Sequence, residues 1–176
     1  PLIQQPKDFG ADLIIHSGTK GIDGQGRVLG GIVCGSKALI KEIYAFSRST
    51  GPSISPFNAW ILSKSLETLD VRMERHASNA LFLAQELEKH PQIEWLKYPL
   101  LPSHPQYEIA RKQMKNGGGL VAFNLKGGVE AGRKFLDKLQ ILSLTANLGD
   151  TRSIASHPAS TTHAKLTDEE RNKVGI

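Results

Sequence analysis

Cysteine is nearly absent from this chain: 176 residues contain one, Cys34. A single cysteine excludes an intrachain disulfide framework and points to a reducing compartment, so a cytoplasmic location is expected. Cys34 stands inside an apolar run, where core packing is its expected role. Long apolar runs are also missing. None reaches the roughly 18–20 residues a membrane-spanning helix needs, and no secretory leader is visible. Pro1 stands where an initiator methionine would, so the chain is expected to begin within a longer protein. Charge of one sign is never concentrated. The net charge is +5, yet Lys37, Lys41, Lys64, Lys89 and Lys134 are scattered, as on solvated helix faces. That argues against a nucleic-acid stripe and leaves a mild field favouring anionic small molecules.

Familiar site motifs are missing as well. Gly24-Gln25-Gly26 lacks the third glycine of a dinucleotide fingerprint, because Leu29 stands there and a strand follows. Gly18-Thr19-Lys20-Gly21 has no upstream glycine at the phosphate-loop spacing. His157 and His163 flank Pro-Ala-Ser-Thr-Thr with no metal-ligand spacing, so loop hydrogen bonding is expected of them and no metal site.

What is present centres on residues 12–27. Leu13-Ile14-Ile15 has the length and branching of a buried strand. It runs into Ser17, Gly18, Thr19 and Lys20, then into a loop with glycines at 21, 24 and 26, where backbone can approach a ligand closely. Val28–Val33 reads as a second strand, interrupted by Gly30-Gly31. A lysine closing a buried strand is costly to desolvate unless it is paired or its pKa falls, and a lysine of lowered pKa attacks carbonyls. The residues alone leave three readings of Lys20 open: a solvated turn lysine, a Schiff-base lysine, or half of a Ser17–Lys20 hydrolase pair.

Further along, Ser36 is a helix cap before Lys37–Phe46. Arg48, Ser49 and Thr50 have the composition of an anion site. Asn58–Lys89 carries one helical pattern, long for a globular helix, with a bend expected near Asp70–Arg75. The remainder alternates strands (Ile93–Leu96, Leu120–Leu125, Ile141–Leu144) with helices (Pro105–Lys115, Val129–Lys138), read as one small sheet with helices packed on it. Thr167 caps a last helix. The class is α/β or α+β.

The segment His16–Gly31 resembles the lysine segment of the Cys/Met-metabolism family of pyridoxal-phosphate enzymes. The similarity continues through Ser55–Trp60, Leu66–Leu69, Arg72–His76, Asn79-Ala80 and Tyr98-Pro99. It extends over Ser103–Pro105, Asn147–Asp150 and His157–His163, nearly the whole chain. Within the family, Asp23–Arg27 and Arg48–Pro56 most resemble the O-succinylhomoserine sulfhydrylases; cystathionine γ-synthases, O-acetylhomoserine sulfhydrylases and methionine γ-lyases are close alternatives. Gly18 and Gly21 depart from the alanine and the aromatic residue that many relatives carry.

The resemblance implies an α/β chain of the type I pyridoxal-phosphate transferase fold. Residues 1–70 would end the large domain and 71–176 would form most of a small C-terminal one. It implies pyridoxal 5'-phosphate as cofactor, Lys20 as its Schiff-base lysine, Ser17 and Thr19 as phosphate donors, and Asn147 near the substrate carboxylate. An aspartate for the pyridine nitrogen and an arginine for the substrate carboxylate are expected outside these residues. The implied reaction is γ-replacement on an O-acylated homoserine by sulfide or a thiol, in a homotetramer without nucleic-acid or membrane partners. A non-catalytic scaffold is the competing class.

Overall fold

The computed structural model describes residues 1–176. Leu13–Ser17 forms β1 and Gly31–Gly35 forms β2, paired antiparallel with Leu13 opposite Gly35 and Ser17 opposite Gly31. The second strand starts later than the sequence suggests. Val28 turns inward and is buried, and the Gly30 carbonyl accepts from the Gly18 and Thr19 N–H groups, so ladder pairing begins at Gly31. Two expectations of burial are corrected. Ile15 is 76% exposed and Cys34 is exposed. Side chains alternate across a strand, and this sheet has two strands with no second layer over its outward side chains, so only alternate residues of β1 are covered.

Helix α1 spans Lys37–Thr50, with the Ser36 hydroxyl accepting from the Leu39 N–H. It runs past Phe46 and takes in Arg48, Ser49 and Thr50, where a loop is expected from the sequence. The hydroxyls of Ser49 and Thr50 donate back to the carbonyls of Ala45 and Phe46, at 3.0 and 2.9 Å. Helices α2 (Pro56–Leu66) and α3 (Leu69–Leu87) replace the single long helix. The chain breaks at Glu67-Thr68, earlier than expected and without proline. Ser65 donates back to the Ile61 carbonyl at 2.7 Å, and Arg72 reaches back to the Ser65 carbonyl and the Thr68 hydroxyl. Side chains thus occupy groups that a continuous ladder would use.

Beyond α3, β3 (Ile93–Lys97) pairs antiparallel with β4 (Ala122–Leu125), with α4 (Tyr107–Gln113) between them and α5 (Gly128–Asp137) after them. β5 (Ser143–Leu144) pairs parallel with β6 (Ile154–Ala155). The expected single small sheet is therefore two separate ladders, because β5 is two residues long and pairs only with β6. Thr167 and Glu170 exchange hydrogen bonds in a capping box that starts α6 (Asp168–Lys173).

Two apolar clusters hold these elements. One joins Ile22 and Val28 to Leu62 of α2 and Leu69 of α3. The other joins Ala80 and Ala84 of α3 to Tyr98 and Leu101. They leave much surface open: the accessible area is 12349 Å², against roughly 8,400 Å² for a compact chain of this mass. Leu29, Phe46, Phe57, Trp60 and Phe82 are all more than half exposed. No helix is long and apolar enough to cross a membrane.

Candidate active site

β1 delivers the chain to Ser17, and a wide turn, Gly18–Ile22, follows. Asp23 N–H closes it on the Gly18 carbonyl and Gly24 N–H on the Lys20 carbonyl, both at 2.9 Å. Lys20 interrupts the turn with φ −89° and ψ −131°, outside the helical region. Its side chain is exposed and paired, unlike the desolvated lysine that a buried strand would present: Lys20 Nζ donates to Asn147 Oδ1 at 2.7 Å. Lys20, Thr19 and Asn147 line one open hollow of about 400 Å³ with Gly26–Leu29. That volume is in the range of small-molecule sites.

The structure thus gathers three of the four residues singled out in the sequence. Asn147 is 127 positions from Lys20 and meets it directly. The Thr19 hydroxyl accepts from the Gly30 N–H at 3.1 Å and lies 3.4 Å from the Gly30 carbonyl, which ties it to the entrance of β2. Ser17 is exposed at the end of β1, beside the turn but outside the hollow's lining.

Several residues that fix this turn carry no motif of their own. Asp23 is buried, and its carboxylate accepts from Arg27 N–H at 2.7 Å and Arg27 Nε at 2.9 Å. Burial opposes its ionisation, yet the hydrogen bonds and charge of Arg27 hold the carboxyl below the usual range. Arg27 Nη2 continues to Ser65 Oγ at 2.7 Å, joining the loop to α2. Arg72 donates to the carbonyls of Gly21 and Ile22. The sequence signal available for these was faint: an acid and a base four apart inside a glycine-rich loop, and a two-arginine segment with no assigned role.

The loop bearing Asn147 is seated on the lysine turn. Gly149 has φ +81°, and a Cβ there would lie 2.4 Å from the Gly21 nitrogen, so only glycine allows the approach. Thr151 N–H donates to the Gly24 carbonyl at 2.7 Å. Asp150 is buried, and hydrogen bonds from the Arg152 side chain and backbone hold its carboxyl at about 2. His76 nearby is shifted down, first by burial and then by the charge of Arg72, with Asp150 opposing.

A primary amine at the rim of a hollow suits a carbonyl-bearing cofactor, because it can condense with the carbonyl. Two hydroxyls near it, those of Ser17 and Thr19, are of the type that donates to phosphate. The residues present therefore fit pyridoxal phosphate.

Comparison with known proteins agrees. The sequence matches the family described as "Cys/Met metabolism PLP-dependent enzyme" over residues 1–176. It is 50% identical to an O-succinylhomoserine sulfhydrylase of Pseudomonas aeruginosa, covering all of this chain and 44% of that protein. It is 47% identical to an L-methionine gamma-lyase of Pseudomonas putida, covering all of this chain and 45% of that one. A crystal structure of cystathionine gamma synthase from Xanthomonas oryzae pv. oryzae, in complex with aminoacrylate and cysteine, superposes with a TM-score of 0.93. It is 39% identical, with all of this chain and 46% of that one covered. The chain spans about half the length of the relatives it matches.

Proposed function

Because the chain belongs to the Cys/Met-metabolism family of pyridoxal-phosphate enzymes, we propose that it carries the lysine end of an active site for γ-replacement on an O-acylated homoserine. In this reading O-succinylhomoserine and sulfide give homocysteine and succinate. The observation that carries the reading is Lys20 Nζ, held 2.7 Å from Asn147 Oδ1 at the rim of the hollow that Thr19 also lines. The 50% identity to an O-succinylhomoserine sulfhydrylase supports the choice of substrate.

Bound pyridoxal phosphate supplies the electron sink. The hydroxyls of Ser17 and Thr19 would donate to its phosphate, that of Thr19 by exchanging its contact with the Gly30 carbonyl. Lys20 Nζ would take the proton from the substrate Cα and move protons at Cβ, so that the Cγ–O bond breaks, succinate leaves and sulfide forms the new bond at Cγ. Asn147 holds the Lys20 amine toward the hollow before the cofactor binds, and its amide N–H groups would then serve the substrate carboxylate. A homotetramer is the proposed state of the whole enzyme, as the family resemblance implies.

Lys20→Ala tests the site. It is expected to remove the visible cofactor band of the holoenzyme and to lower turnover by about 10³-fold or more. Survival of both band and turnover removes Lys20 from the chemistry. A second reading, γ-elimination from methionine, is favoured by the 47% identity to a methionine gamma-lyase. Product analysis separates them: homocysteine formed from O-succinylhomoserine and sulfide supports γ-replacement, whereas methionine consumed without a sulfur donor supports elimination.

A further inference from the structure

Arg72 lies in the first turns of α3 and uses its guanidinium on neutral groups. Nη1 donates to the Gly21 carbonyl at 2.7 Å. Nη2 donates to the carbonyls of Ile22 and Ser65, both at 2.9 Å. Nε donates to the Thr68 hydroxyl at 3.1 Å. Gly21 and Ile22 directly follow Lys20. The fork therefore grips the two peptides on the C-terminal side of the lysine and ties them to the α2–α3 break.

Two further observations show that the place is built for it. Gly24 has φ +73°, and a Cβ there would lie 2.2 Å from Arg72 Nη1, so the guanidinium fills space that only glycine leaves. The buried carboxylate close by, Asp23, is bound by Arg27 at 2.9 Å. Arg72 is thus left to the backbone carbonyls, although it is partly buried and a carboxylate would offset its desolvation more fully. Its placement favours geometry over charge pairing.

We propose that Arg72 is a positioning residue for Lys20: by fixing the Gly21 and Ile22 carbonyls it sets the non-helical backbone from which Lys20 reaches the hollow. The proposal rests on the reading of Lys20 as the cofactor-bearing lysine. Arg72 touches neither the lysine amine nor the hollow's lining, so its effect passes through the peptides it holds.

The test uses Arg72→Ala and Arg72→Lys in the holoenzyme. Misplacing a reacting group by about an ångström costs on the order of 100-fold, so Arg72→Ala is expected to lose about that factor in kcat. KM should stay within roughly threefold, since substrate contacts are untouched. Millimolar guanidinium should restore much of the loss. Arg72→Lys keeps the charge but has no planar fork to span several carbonyls, and it is expected to lose about tenfold or more. In the cofactor-free protein, amide exchange at Gly21–Gly24 should quicken in both variants while α5 is unchanged. Wild-type kcat in Arg72→Lys, or loss of kcat matched by uniformly faster exchange, overturns the proposal. If Arg72→Ala does not fold, the lysine variant and its exchange pattern decide. Failure of the underlying reading looks different: Lys20→Ala would keep the cofactor band whatever Arg72 does.

Discussion

Around Lys20 the packing of Ile22 on Leu62 and Leu69 is joined by side chains and a backbone N–H that bind the turn's carbonyls; around Tyr98 packing stands nearly alone. The lysine turn has Arg72 on two carbonyls, Arg27 on Asp23, and Thr151 on the Gly24 carbonyl. The Tyr98 cluster has Ala80, Ala84 and Leu101 in contact, with one polar tip: the Tyr98 hydroxyl, 3.2 Å from the Ala77 carbonyl and 3.0 Å from that of Gly118. The two regions differ because they do different work. Hydrogen bonds are directional and set angles. Apolar burial is non-directional and scales with area. Under the proposed function, a lysine that meets a small molecule needs the first; two elements that only stay together need the second.

Gly149→Ala is the strongest way to break this contrast, because that residue touches the lysine turn from outside it. Its new Cβ would meet backbone, which cannot swing aside, at a φ that alanine rarely adopts. A loss of about 3 kcal/mol in folding free energy is expected from this overpacking, with a fall in kcat that chemical denaturation and steady-state kinetics on the same sample would show together. If stability falls and kcat does not, the loop only packs. Leu101→Ala, at 2% exposure, should cost a comparable 3 kcal/mol or so yet leave kcat per folded molecule near wild type. A matching loss of kcat would show that the two regions are not separable. Tyr98→Phe keeps the ring and removes the hydroxyl from two buried carbonyls, for a cost of about 1–2 kcal/mol in urea titration. No cost at all would mean that packing alone suffices there.

The smallest effect concerns acid. The Asp150 carboxyl is held at about 2 against an ordinary 3.8. In the unfolded chain it binds its proton first, so its stabilising contribution is complete above 3.8 and is lost as pH falls toward 2. Asp150→Asn should therefore flatten the dependence of melting temperature on pH between 4 and 2. An unchanged acid limb would mean that other carboxyls, Asp23 among them, carry it.

The passage from β1 into the lysine turn was readable in the sequence because an apolar run ends in Ser17, Gly18, Thr19 and Lys20. The caps at Ser36 and Thr167 were readable too. Three things were not. The inward turn of Val28 depends on Leu62 and Leu69, far along the chain. The break at Glu67-Thr68 depends on Ser65 bonding back to the Ile61 carbonyl and on Arg72 bonding back to the Ser65 carbonyl and the Thr68 hydroxyl, a pairing that no motif marks. The exposure of Ile15 depends on how many layers flank a sheet, which local patterning does not encode; Cys34, opposite Ile14 on the other face, is exposed as well. Asn147 was named through resemblance; its bond to Lys20 follows from Gly149, whose absent side chain lets that loop come close.

The sheet of β1 and β2 is a ladder that further strands can extend. Each strand is paired on one side and has a free edge on the other, and Ile15 stands uncovered near the middle. Such an edge is a template for more strands.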